Sequence, residues 1–252
     1  MESLITQAHS EFNIYKNNPH FYSNKVKAIS NSFGLQNPMH LRHTVLPTYW
    51  AGNLSPDKEK IAVVEINRQY NQERVEFENN FRKESWENYT YFQNNIFSFY
   101  KNKSEWRFKY CESIAAALSN KAFKKRTHFD FLQETVLRLD ILPYTSIGFN
   151  KCPLQPTAEN YLFTRFKDDI LPFMVKNRNI KKAIFHNKRL TEILLKKNFI
   201  SPDNIIYIRM NKGSKHDFIY KKRYNGINLY IFSRFIPYGG FAKNEVYSNV
   251  FG

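Results

Sequence analysis

An α/β fold with a mostly parallel sheet is predicted by three observations on the 252-residue sequence. Short apolar runs of strand length recur along the chain, and longer amphipathic stretches separate them. The clearest run, Ile61 to Ile66, stops abruptly on a polar cluster, Asn67-Arg68-Gln69. In open α/β sheets ligands bind at the carboxyl ends of the strands, so that cluster is a candidate site on position alone.

The elements follow in chain order. Residues 1–44 read as one or two helices with a loop at Asn17 to Pro19, forming an N-terminal helical arm. A Pro/Gly-rich lead-in, LPTYWAGN (46–53), precedes the first strand, IAVVEI (61–66). Glu73 to Phe131 is a long polar-aromatic region expected to hold two or three helices, one of them around Lys109 to Ser119. The second strand is TVLRLDI (135–141), the third KAIFHN (182–187) and the fourth NLYIFS (228–233). Phe163 to Lys176 is helical but broken by Pro172, and Leu190 to Lys197 gives a short helix before the turn at Ser201-Pro202-Asp203. Ile205 to Ile208 and Asp217 to Tyr220 are expected as minor edge strands, and KNRNIKKA (176–183) and YKKRYNG (220–226) are basic clusters. A single domain is expected over 1–252, with its core in 45–245.

Charge and composition point to a partner. Lys plus Arg number 38 against 22 Asp plus Glu, a formal charge of +16, and aromatic residues make up 17% of the chain. Phosphates attract cations and exposed bases stack on flat rings, so this pairing suits nucleic acid. A solvated basic surface reflecting an AT-rich coding sequence is the bland alternative. No apolar run approaches the roughly 18 residues of a spanning helix, and MESLITQAHSEF lacks a signal-peptide core. A cytoplasmic protein without membrane contact is expected. The two cysteines, Cys111 and Cys152, cannot hold a four-thiolate cluster. The histidines show no HxxxH or HExxH spacing, and Pro38 and Pro47 around His40 and His43 argue for a loop there, so no metal and no cofactor are expected.

Four strand ends carry the chemistry: EINRQYN (65–71), LDILPYTS (139–146), FHNK (185–188) and FSRFIPYGGFA (232–242). Side chains alternate along a strand, so Glu65 and Asn67 project to one side, and a carboxylate is a better general base than an amide. Glu65 reads equally well as a buried carboxylate paired with a basic residue. In its arrangement of lead-in, strand ends and final loop, the chain over residues 45 to 245 resembles the uracil-DNA glycosylase superfamily. The resemblance implies a three-layer sandwich around a central four-stranded, mostly parallel sheet. It places Asn67 as the residue that positions the attacking water, although Glu65 stands where relatives carry Gly and Arg68-Gln69 where they carry Pro-Gly.

Asp140 departs from the family's Asn, which donates to O4 of uracil and accepts from N3-H. Cytosine offers an N4 amino donor, and a carboxylate accepts from it; capping of the Pro143 turn is the structural alternative. Tyr70 and Tyr144 are candidates to stack on an extruded base, and Phe149 is another. Ser233 and Arg234 occupy the place where relatives carry His-Pro, so Arg234 is expected to stabilise charge on the leaving base or to contact a phosphate. His186 and Lys188 match the strand-to-helix junction, a phosphate contact by helix terminus and Lys. Pro237, Tyr238, Gly239, Gly240 and Phe241 match the loop that wedges into the duplex.

The resemblance, carried by these residues, implies a monofunctional DNA glycosylase. The expected substrate is a flipped, modified pyrimidine, with hypermodified cytosine such as glucosylated 5-hydroxymethylcytosine in phage DNA as the leading candidate. Double-stranded DNA is the expected partner and a monomer the expected state. A uracil or damaged-base repair glycosylase is the second reading, and a catalytically inactive DNA-binding module the third. No Lys lies where a Schiff-base lyase step would need it.

Overall fold

The computed structural model describes residues 3–35, 40–55, 57–100, 129–149, 153–185, 187–210 and 216–233. In chain order these form α1 (Leu4–Asn17), α2 (Pro19–Ser32), β1 (Trp50–Ala51), β2 (Lys60–Glu65), α3 (Gln72–Arg82), α4 (Trp86–Asn94), α5 (Ile96–Phe99), α6 (Phe129–Thr135) and β3 (Val136–Asp140). There follow α7 (Pro156–Arg165), a π-turn (Phe166–Ile170), α8 (Leu171–Lys176), β4 (Ile180–Phe185), α9 (Lys188–Lys196), β5 (Ile205–Met210), β6 (His216–Tyr224) and β7 (Ile227–Phe232). The helix expected around Lys109 to Ser119 lies outside the described residues.

The α/β class is as the alternation predicts, but the sheet is larger and mixed. Among the described residues it has seven strands in the order β1-β3-β2-β4-β7-β6-β5. The four expected strands are β3, β2, β4 and β7, adjacent to one another at its centre. β2 pairs with β4 in parallel, and β4 with β7 in parallel. The four-stranded expectation is corrected by β5 and β6, which extend the sheet as antiparallel strands, β6 inside it and β5 at its edge as expected. Asn225 and Gly226 account for the β6–β7 pairing: both have positive φ, 44° and 85°, and form a two-residue turn of the kind that matches the twist of a hairpin. That turn folds β6 onto β7 from Tyr224↔Ile227 to Ile219↔Phe232.

The chain divides into two compact units, each assembled from three separated stretches. The first comprises 1–50, 65–93 and 139–176, and the second 51–64, 94–138 and 177–252.

The second unit holds most of the sheet. Ile61, Ala62, Val63 and Val64 of β2 and Ala183, Ile184 and Phe185 of β4 are all buried, as strands covered on both faces must be. Gly52, at φ +114°, sits where an added Cβ would lie 2.4 Å from the Val136 carbonyl oxygen, so only glycine lets the backbone pass this close to β3. Asn187 caps α9 by accepting from the Arg189 and Leu190 amides.

The first unit holds α1, α2, α3, most of α4, α7 and α8, together with the exits of β2 and β3. Asn18 separates α1 from α2 and caps α2, which opens on Pro19, as the Asn17-to-Pro19 break predicts. Leu4, Ala8 and Phe12 of α1 and Tyr22 and Val26 of α2 are buried. Around Pro172 the helix does not break. A proline has no N–H to give and its ring crowds the carbonyl four residues back. The preceding turn widens instead, and the Leu171 amide bonds back to Phe166 O, an i−5 contact.

Candidate active site at the strand exits

The lead-in before β1 is irregular yet buried, so each of its backbone polar groups needs a partner. Tyr22 Oη donates to Val45 O at 2.8 Å, Tyr89 Oη to Pro47 O at 2.8 Å, and the Thr48 amide to Pro143 O at 2.8 Å. This fixes the Thr48 hydroxyl, which accepts from Arg68 and from Arg82, each at 2.9 Å. Both guanidiniums also engage Glu78, and Arg74 approaches it at 3.6 Å. Glu78 and Arg82 are wholly buried. One carboxylate thus gathers three arginines behind the β2 exit, and it anchors the segment that carries Asn67.

Residues 67–71 have separate roles. Asn67 Nδ2 donates to Tyr144 O at 3.2 Å and to Ser146 Oγ at 2.9 Å. Because a carbonyl can only accept, the first bond fixes which end of the amide faces inward. Asn67 Oδ1 accepts from no described residue, and the side chain is half-buried. Arg68 belongs to the Glu78 cluster. Gln69 bridges Ser146, and the Tyr70 amide donates to Ser146 O at 2.8 Å. Asn71 caps α3 through the Arg74 amide.

Ser146 also bridges Leu41, and the Arg42 amide donates to Thr145 O at 2.8 Å. Three segments, 41–42, 69–70 and 145–146, are thereby laced together beyond the strand ends. The Arg42 guanidinium lies over the Tyr70 ring, 4.7 Å from its centroid. Thr145 is 2% exposed, and its hydroxyl has no partner among the described residues.

The other expected site residues fall as follows. Glu65 is half-buried, with its carbonyl accepting from the Ile141 amide at 2.9 Å. Asp140 is 1% exposed, and its amide donates to Tyr49 O at 3.1 Å. Asp140, Arg68 and Arg82 all act on the Tyr89 hydroxyl: burial raises its pKa far above the usual value, the two arginines oppose that, and Asp140 adds to it. Tyr144 is buried edge-on against Tyr22, at 6.3 Å between centroids, and burial pushes its hydroxyl pKa well up. Phe149 is buried edge-on against Phe33 at 6.4 Å. Tyr70 is half-buried, with one face under Arg42.

In the second unit, Ser233 continues the β6–β7 pairing: its hydroxyl accepts from the Phe218 amide at 2.7 Å and its own amide donates to Phe218 O at 2.9 Å. Lys188 is exposed and faces Glu192 at 3.5 Å. His186, Arg234, Pro237, Tyr238, Gly239, Gly240 and Phe241 lie outside the described residues. Among the described residues, no cluster of three or more His, Cys, Asp or Glu is placed to hold a metal, and no helix is long and apolar enough to cross a membrane.

Sequence reasoning missed Thr48, Glu78, Arg42, Thr145 and Ser146. Glu78 carried a usable signal, since Arg74 and Arg82 stand four residues to either side of it on one helix face. Arg42 carried none, because nothing in the spacing joins residue 42 to residue 70. No family model matches the sequence, and no match to a curated protein or a solved structure is found.

Proposed function

We propose that this chain is a monofunctional DNA glycosylase that hydrolyses the N-glycosidic bond of an extruded, modified cytosine. The observation that carries the reading is Asn67, whose NH₂ is tied to Tyr144 O and Ser146 Oγ while Oδ1 is left to accept at the end of a central strand. An amide held in this way can orient a water on the face of the sugar, with the half-buried Glu65, two residues back along the chain, as the base that takes its proton. The water oxygen bonds to C1′, the C1′–N bond breaks, and its electron pair leaves with the base.

Asp140 is the base reader in this proposal. It lies at the end of the neighbouring strand, and a carboxylate accepts from the N4 amino group of cytosine where it would meet only another acceptor at O4 of uracil. The four central strands are then the sheet of a uracil-DNA glycosylase-like three-layer fold, with the β5–β6 pair as an elaboration. Phage DNA carrying hypermodified cytosine, met in the cytoplasm, is the substrate that would make such an enzyme useful without harm to ordinary DNA.

The test uses duplex oligonucleotides with uracil, 5-hydroxymethylcytosine or glucosylated 5-hydroxymethylcytosine, followed by alkaline cleavage of abasic sites. Cleavage at the modified cytosines is expected. Product from uracil alone would sink the cytosine reading, and no product from any of the three would remove the glycosylase reading. Asp140→Asn is expected to move preference from cytosine derivatives towards uracil, and an unchanged preference would show that Asp140 does not read the base.

A further inference from the structure

The N-terminal segment contributes more than packing. Arg42, His43 and Lys27 share one neighbourhood: His43 titrates below the usual histidine value because it is partly desolvated and because Lys27 and Arg42 both act on it. His43 Nδ1 is engaged by Ser23 Oγ at 2.9 Å. Several other cations in this unit have carboxylate partners: Lys25 has Glu11, Arg165 has Asp169, and Arg68, Arg74 and Arg82 have Glu78. Arg42 and Lys27 have none among the described residues. The Arg42 Nε is buried without a partner, while the residue as a whole is half-exposed.

A guanidinium held over a ring is restrained in place, and N–H donors that no described residue engages remain for a ligand. A planar fork of such donors can meet two oxygens of a phosphate at once. Its position is also registered to Asn67, because Arg42 is tied to Thr145, and Ser146 joins residue 41 to residues 67 and 69. We propose that Arg42, held on Tyr70 and flanked by Lys27 and His43, is a phosphodiester-binding site that fixes a nucleic-acid backbone beside Asn67. Tyr70 is then the support of a phosphate clamp, with one face already occupied, and not a free stacking platform.

Binding alone tests this, independently of the reaction. Affinity for an unmodified fluorescent duplex is measured from about 50 to 200 mM salt, a range over which counterion release dominates. Arg42→Ala is expected to weaken binding and to reduce the slope of log K against log [salt] by about 1, the signature of one lost phosphate contact. Tyr70→Leu, which keeps the charge but removes its support, is expected to weaken binding with a smaller loss of slope. Thermal melts confirm that each variant is folded.

An Arg42→Ala protein with unaltered affinity and slope overturns the proposal. So does wild-type chain that binds no duplex at 50 mM salt, or binding by Arg42 that equal ionic strength of inorganic phosphate abolishes, which would make it a site for free anions only. Base release by an Arg42→Ala enzyme with unchanged KM would leave the glycosylase reading standing without this site. Arg42-dependent binding with no base release would do the reverse.

Discussion

In the proposed reaction Asn67 serves the chemistry, while Glu78 supports the strand exit. Asn67→Ala removes the acceptor assigned to the attacking water, and kcat on a cleavable oligonucleotide is expected to fall by about 10²-fold or more. A fall confined to KM would assign Asn67 to binding. Glu78 is the carboxylate on which Arg68, Arg74 and Arg82 converge. Glu78→Gln leaves buried guanidiniums without their counter-charge, so a loss of about 3–5 kcal/mol in denaturant unfolding is expected. A loss below about 1 kcal/mol would mean that the cluster is neutralised without Glu78. At this scale, Asn67 and Asp140 were legible because a polar residue ending an apolar run stands out. Thr145 and Ser146 were not, since loop residues of this kind are ordinary until pairing brings the Ser146 hydroxyl to Asn67 and the Thr145 carbonyl to the Arg42 amide.

Elements were legible wherever local chemistry decides them. The break at Asn18-Pro19 and the apolar runs of β2, β3, β4 and β7 depend on capping and burial patterns written in the sequence itself. The β6–β7 hairpin is written in the sequence too, in the Asn225-Gly226 pair that ends the basic stretch 220–226. The π-turn before Pro172 was not readable, because whether a proline ends a helix or widens it depends on what packs around it. Gly52 belongs to this scale. Gly52→Ala would place a Cβ against the Val136 carbonyl at a positive φ, and a destabilisation of more than about 1 kcal/mol is expected. A neutral change in melting temperature would show that β1 shifts without cost.

For the molecule as a whole, titration offers a test of the first unit's interior. Tyr22, Tyr49, Tyr89 and Tyr144 are buried, and burial raises the pKa of each above the ordinary value of 10. Their protons are held more tightly in the folded state, so the stability they contribute is intact below pH 10 and is lost as pH rises above it. Each should subtract about 1.4 kcal/mol per pH unit there, and cooperative unfolding with simultaneous tyrosine ionisation is expected. Gradual ionisation near pH 10 with the far-ultraviolet dichroism unchanged would place these hydroxyls in contact with water.

The sequence by itself determined the class of the fold, the central strands and the polar ends that make Asn67 and Asp140 candidates, because alternation and burial are local properties of a chain. Only the tertiary structure decided the sheet's size and direction, the anchoring of residue 68 on Glu78, and the meeting of Arg42 with Tyr70. Those join positions distant or unpatterned in sequence, and such contacts are selected by how the whole chain closes upon itself, not by the propensity of any one segment.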